Sequence, residues 1–127
     1  MPDKRIILIT GATDGLGRRI AEKLAGPATH LILHGRDAAR GKAVVATVEQ
    51  ARGPAEFHQA DFASLAGIRQ LAEAVRSKHD QLDVLVNNAG IALLGGKRHE
   101  SADGFELTFA VNYLSTFLLT YLLRPVL

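Results

Sequence analysis

Cysteine is absent from the 127 residues, so neither a disulfide framework nor thiolate chemistry is available to this chain. The absence suits a reducing compartment, and a cytoplasmic location is the expectation. A secretory leader is not expected either. Met1-Pro2-Asp3-Lys4-Arg5 is charged, and the apolar run behind it, Ile6 to Ile9, is too short for a signal-peptide core. Charge of one sign is scarce, with 15 basic residues against 13 acidic ones and a formal net charge of +2. The basic residues are scattered and no basic run is interleaved with aromatics. The pI of 9.2 therefore does not make nucleic acid an expected partner. The five histidines, His30, His34, His58, His79 and His99, have no metal-ligand spacing along the chain. They read as surface or strand-end residues, and no metal site is expected. Low-complexity segments, linkers and sequence repeats are lacking too, so the length describes one domain or part of one.

Long hydrophobic runs are also few. The most extended uncharged stretch is Leu107 to Leu123. It is shorter than the ~20 residues that span a bilayer, and Thr108, Asn112, Ser115, Thr116 and Thr120 interrupt it. A helix apolar on most sides is expected in a core or an oligomer interface. The reading is no membrane span, with a homo-oligomer formed through the 105–123 helix.

What the chain does have is 47% apolar residues in a regular alternation of short runs and longer periodic segments. Ile6-Ile7-Leu8-Ile9 reads as a buried parallel strand and Arg18 to Ala25 as a helix, ended by Gly26-Pro27. His30 to His34 is a second strand and Ala38 to Arg52 a second helix. Glu56 to Ala60 is a third strand. Ser64 is a plausible N-cap for a helix over Leu65 to His79 with Ile68, Leu71, Ala72 and Val75 inward. Leu82 to Val86 is a fourth strand, followed by a loop over Ile91 to Asp103. A long apolar helix runs from Phe105 to Leu123 and is stopped at Arg124-Pro125. Such alternation implies an α/β fold, a doubly wound, Rossmann-like parallel sheet in the order 3-2-1-4 with ligand at the carboxyl ends beside strand 1.

Between the first strand and helix lies Thr10-Gly11-Ala12-Thr13-Asp14-Gly15-Leu16-Gly17. A helix start carries unsatisfied N–H groups and the positive end of the dipole, and glycines let a pyrophosphate approach that backbone. The spacing Thr-Gly-x-x-x-Gly-x-Gly resembles the signature of the short-chain dehydrogenase/reductase family, classical type. Asn87-Asn88-Ala89-Gly90, just after the fourth strand, is similar to a second motif of that family. The extended epimerase branch uses Thr-Gly-x-x-Gly-x-x-Gly, which this chain does not have.

The resemblance implies a dinucleotide site formed by Gly11, Thr13, Asp14, Gly15, Leu16, Gly17, Arg36, Asp61, Phe62, Asn88, Ala89, Gly90 and Val111. It implies that Asp61-Phe62 lies against the adenine, and that Asn112 is the asparagine of the catalytic tetrad, read as a buried amide in mid-helix. Cofactor choice turns on the end of the second strand. NAD-preferring members carry an acidic residue where this chain has Gly35, and Arg36 follows. A guanidinium can hold a 2′-phosphate, with Arg40 one turn onward and Asp37 in opposition, so NADP is expected over NAD. The implied reaction moves a hydride between nicotinamide and a small carbonyl or alcohol substrate. The family's catalytic serine and Tyr-x-x-x-Lys pair find no match in residues 1–127, since Tyr113 is followed by Phe117 and Tyr121 by Pro125. The stretch therefore reads as the N-terminal, cofactor-binding half of a longer domain, incomplete at the fourth strand's edge. The alternative is a dinucleotide-binding sensor or scaffold without catalysis.

Overall fold

The computed structural model describes residues 3–93 and 95–127. Strands β1 (Arg5–Ile9), β2 (Thr29–Gly35), β3 (Ala55–Gln59) and β4 (Val84–Val86) form one parallel sheet in the order β3-β2-β1-β4. Helices α1 (Gly15–Leu24), α2 (Ala38–Gln50) and α3 (Leu65–Lys78) alternate with them. The last helical region comprises α4 (Leu107–Phe109), a π-helical stretch (Ala110–Leu114) and α5 (Ser115–Leu123). The α/β class, the doubly wound order and β4 at an edge are as the alternation implies.

The strand period of two divides the apolar residues between the two faces. Ile7, Ile9, Leu31 and Leu33 meet Ala21 of α1 and Val44 and Val48 of α2. Leu8 and Ile32 meet Ile68, Leu71, Ala72 and Val75 of α3, together with Leu119 and Leu123 of α5. A sheet covered on both faces explains why β1 is apolar at four successive positions. Capping follows the sequence at two helices. Ser64 accepts from the Gly67 N–H at 3.3 Å, and Asp37 accepts from Ala39 and Arg40 N–H at 2.9 and 3.1 Å.

The final helix corrects the reading of one continuous helix from Phe105. It begins at Leu107, because the Glu106 carboxylate caps it by accepting from Thr108 and Phe109 N–H, both at 2.9 Å. Its middle turn is a π-helix containing Val111 and Asn112. Such a turn shifts the helix face by one residue, and the hydroxyl of Ser115 donates back to the Val111 carbonyl within it. None of the described helices is long and apolar enough to cross a membrane.

Candidate cofactor site

The turn from β1 to α1 is held by residues distant in sequence. Gly11 adopts a left-handed φ of +62°, and a Cβ there would lie 2.9 Å from the Ala89 Cα. At Gly17 a Cβ would collide with the Gly11 carbonyl and the Asn88 amide, so this glycine serves the close packing of helix on turn. Gly15 differs. Its φ is +53°, and nothing lies within 4 Å of where a Cβ would be. Its backbone therefore faces open space.

Asn88 donates its side-chain amide to the carbonyls of Thr10 and Gly11 at 3.2 and 3.1 Å. The Thr10 hydroxyl accepts from the N–H groups of Asn88 and Ala89 at 3.0 and 2.9 Å. The Asn-Asn-Ala-Gly segment thus shapes the glycine turn. Ala89 and Gly90 line the cleft, while the Asn88 side chain is spent on the turn's backbone. Asn87 reaches the other way and donates to the Thr120 hydroxyl at 3.2 Å.

Sequence reasoning missed His34. It is 2% exposed, not a surface residue. Its Nδ1 accepts from the Gly11 N–H at 3.1 Å, its Nε2 donates to the Ala60 carbonyl at 2.9 Å, and its ring stacks on Phe62 at 4.1 Å. Burial holds its pKa down at about 4, so the ring is neutral with the proton on Nε2. The available signal was a histidine at the end of an apolar strand beside the fingerprint. Linear spacing gives it no role. Phe62 is buried and buttresses His34, while Asp61 is exposed, with one carboxylate oxygen accepting from the Ala63 N–H at 2.9 Å.

These groups surround a cavity of about 1010 Å³ at the carboxyl ends of the strands. Gly11, Thr13 and Asp14 line one side, and Arg36, Asp61 and Val111 others. Asp14 occupies the N-cap of α1 but its side chain makes no capping bond; the carboxylate instead meets Arg40 Nη1 at 3.4 Å. The first turn of α1 also contains no acidic residue. Among the described residues no side chain caps its amide N–H groups, the arrangement an anionic phosphate requires. Leu16 projects from this turn, 69% exposed. Arg36 is exposed at the rim, and no ion pair to it occurs among the described residues. Arg40, by contrast, is shared between Asp14 and Asp37.

Asn112 corrects the expectation of a buried amide. It is exposed, and both ends of its amide engage Ile91. Oδ1 accepts from the Ile91 N–H and Nδ2 donates to the Ile91 carbonyl, each at 2.8 Å. Gly90 lies against it, a Cβ there falling 3.2 Å from Oδ1. The asparagine therefore pins the segment after β4 to the π-helical turn, on the cleft side. The residues gathered here fit a dinucleotide: an uncapped helix start, a glycine open to solvent and a cavity with a cationic rim.

Comparison with known proteins shows the family. Residues 5–127 match the short chain dehydrogenase family. The chain is 39% identical over 128 residues to polyprenol dehydrogenase of Homo sapiens, covering 99% of this chain and 38% of that protein. It is 42% identical over 127 residues to oxidoreductase calI of Penicillium decumbens, covering 97% of this chain and 36% of that one. Among solved structures, a metagenomic short-chain oxidoreductase in complex with NADP superposes with a TM-score of 0.86 at 32% identity, over 98% of this chain and 57% of that one. The chain belongs to the short-chain dehydrogenase/reductase family. It spans about two fifths of the length of the curated relatives it matches.

Proposed function

We propose that these residues form the cofactor-binding half of an NADP-dependent short-chain dehydrogenase/reductase acting on a small carbonyl or alcohol. The observation that carries this reading is the glycine turn into the uncapped start of α1, whose Gly11, Thr13 and Asp14 line the cleft, backed by the Asn88 and His34 braces. Gly11, Thr13, Gly15 and Leu16 would hold the pyrophosphate through backbone N–H groups, and Gly17 keeps α1 close enough to do so. Asp61, through its second carboxylate oxygen, would receive the adenine amino group. Arg36 would pair with a 2′-phosphate, Asp14 and Asp37 having already claimed Arg40. Ala89, Gly90 and Val111 would form the wall beneath the nicotinamide end. The bound cofactor supplies or accepts the hydride.

Asn112 holds Ile91 and leaves its outer face toward solvent, so its part is to keep that wall and an adjoining water in place. It is not a proton donor, since an amide does not ionise near neutral pH. A tyrosine acid beside a lysine, absent from residues 1–127, is the group that would deliver the proton, typically about 10²–10⁴-fold in rate. The non-catalytic sensor is the competing reading. The deciding experiment takes the natural full-length protein and follows NADPH oxidation with a panel of ketones, aldehydes and quinones. Turnover proportional to protein is expected. Tight NADPH binding with no turnover on any substrate would favour the sensor.

A second copy of the chain is the proposed partner. Phe109, Tyr113, Phe117 and Tyr121 recur every four residues along the last helical region and are 46%, 58%, 63% and 52% exposed. An aromatic stripe of that size suits a symmetric helix-to-helix contact. Cytoplasmic placement remains part of the proposal and rests on composition.

A further inference from the structure

The end of the sheet opposite the cofactor cleft holds a second group of chemistry-bearing residues. His30 is the second residue of β2 and Glu56 the second of β3. Register pairs Ile32 with Glu56 and His34 with His58, so His30, Glu56 and His58 share the face covered by α3. Helix α3 runs back across that face, and its C-cap, His79, arrives beside them. His30 Nε2 lies 3.3 Å from one Glu56 oxygen, and His58 and His79 Nε2 each lie 3.0 Å from the other. The four side chains are 11–26% exposed. The His30 and His79 rings meet edge-on, 5.2 Å between centroids.

We propose that His30, Glu56 and His79 form a binding site for a divalent transition-metal ion of the zinc class. The ligand atoms of these three residues all lie within 4.8 Å of one another. His30 Nε2 stands 3.3 Å from Glu56 Oε2 and His79 Nε2 3.0 Å from Oε1, each near the ~3.4 Å between neighbouring ligands of a tetrahedral ion with bonds of about 2.0–2.1 Å, so either carboxylate oxygen can serve beside an imidazole. Two imidazoles and one carboxylate are a donor set suited to zinc, cobalt and nickel. The site also lies at the C-terminus of a 14-residue helix, where the dipole favours a cation. His30 and His79 border an open depression edged by Asp3, Asp80 and Asp83 and by Lys4, Arg5 and Lys78, which provides entry from solvent.

Ion binding turns the Nε2 lone pair of each ligand imidazole to the metal, with the ring's hydrogen held on Nδ1 after exchange through water. His58 keeps its bond to Glu56 and acts as a positioning residue that orients the carboxylate. A bound ion would tie β2, β3 and the end of α3 together, away from the cofactor.

The test uses the natural full-length protein, stripped with a chelator and titrated with Co²⁺. A visible d–d absorption band saturating at one ion per chain is expected, displaced by Zn²⁺. The thermal midpoint should rise by roughly 5–10 °C at a hundredfold excess over Kd. His30→Gln and His79→Gln should each weaken binding by more than about tenfold, with NADPH binding unchanged. His99→Gln, at an exposed position outside the cluster, should have no effect. Should a variant not fold, wild-type imidazole ¹⁵N shifts decide: Zn²⁺ should move Nε2 of His30 and His79 and leave His99 in place. No band and no thermal shift at millimolar Co²⁺ would overturn the proposal, leaving a hydrogen-bonded cluster only. A band of equal affinity in both variants, or ¹⁵N shifts confined to other histidines, would overturn it as well.

Discussion

The backbone N–H of Gly11 donates to Nδ1 of His34 at 3.1 Å, tying the glycine turn to the end of the neighbouring strand. Protonating that nitrogen would set an N–H against an N–H. The ring's depressed pKa, about 4 against an ordinary 6.5, therefore makes the fold sensitive to acid. Above 6.5 the ring is neutral in both folded and unfolded chains. As pH falls from 6.5 to 4 the unfolded chain takes up a proton that the folded chain refuses, so stability drops, by roughly 3 kcal/mol in all. Urea unfolding at a series of pH values should show this loss. His34→Gln should be less stable at pH 7.5 and should lose that share of the slope; an unchanged slope would show that His34 does not titrate in this way.

The two glycines of the helix start are expected to fail differently. Gly17→Val drives a side chain into the Gly11 carbonyl and the Asn88 amide, so both folding and dinucleotide binding should be lost. Gly15→Val meets open space and bears only the strain of a left-handed φ, about 1–2 kcal/mol. It should stay folded by circular dichroism yet bind NADPH at least about tenfold more weakly, because its side chain covers the phosphate approach. Normal binding in a folded Gly15→Val protein would place the phosphates elsewhere.

Arg36 is expected to decide between the two nicotinamide cofactors. A charge-assisted hydrogen bond to a 2′-phosphate contributes about 1.5–3 kcal/mol, or roughly tenfold to a hundredfold in affinity. Arg36→Ala should weaken NADPH by that factor and leave NADH nearly unchanged in fluorescence titration. Equal losses for both would remove Arg36 from the specificity site.

Phe117, at 63% exposure, is the most exposed member of the aromatic stripe. Phe117→Glu puts a charge at the centre of the proposed contact between copies. Light scattering of the full-length protein should show a dimer or larger species converted to monomer, with NADPH binding retained. An unaltered mass would exclude this face as the interface.

The sequence by itself determined the alternation, the sheet order and the location of the glycine turn. Those signals are local: apolar runs, glycines at set spacing, Ser64 before α3 and prolines after helices. Asp61, Ala89, Gly90 and Val111 were named from the family resemblance, and the structure puts all four in the lining of one cavity. Only the tertiary structure decided what Gly17 is for, since the Asn88 amide that meets it beside the Gly11 carbonyl lies 77 residues beyond Gly11. The burial of His34 depends on Phe62 stacking from beyond β3. Asn112 is exposed because a π-helical turn aims its amide at Ile91. The meeting of His30, Glu56 and His79 depends on strand register and on where α3 ends. A polar side chain's role is set by its partners, and parallel strand pairing brings those partners from far along the chain, where no linear pattern records them.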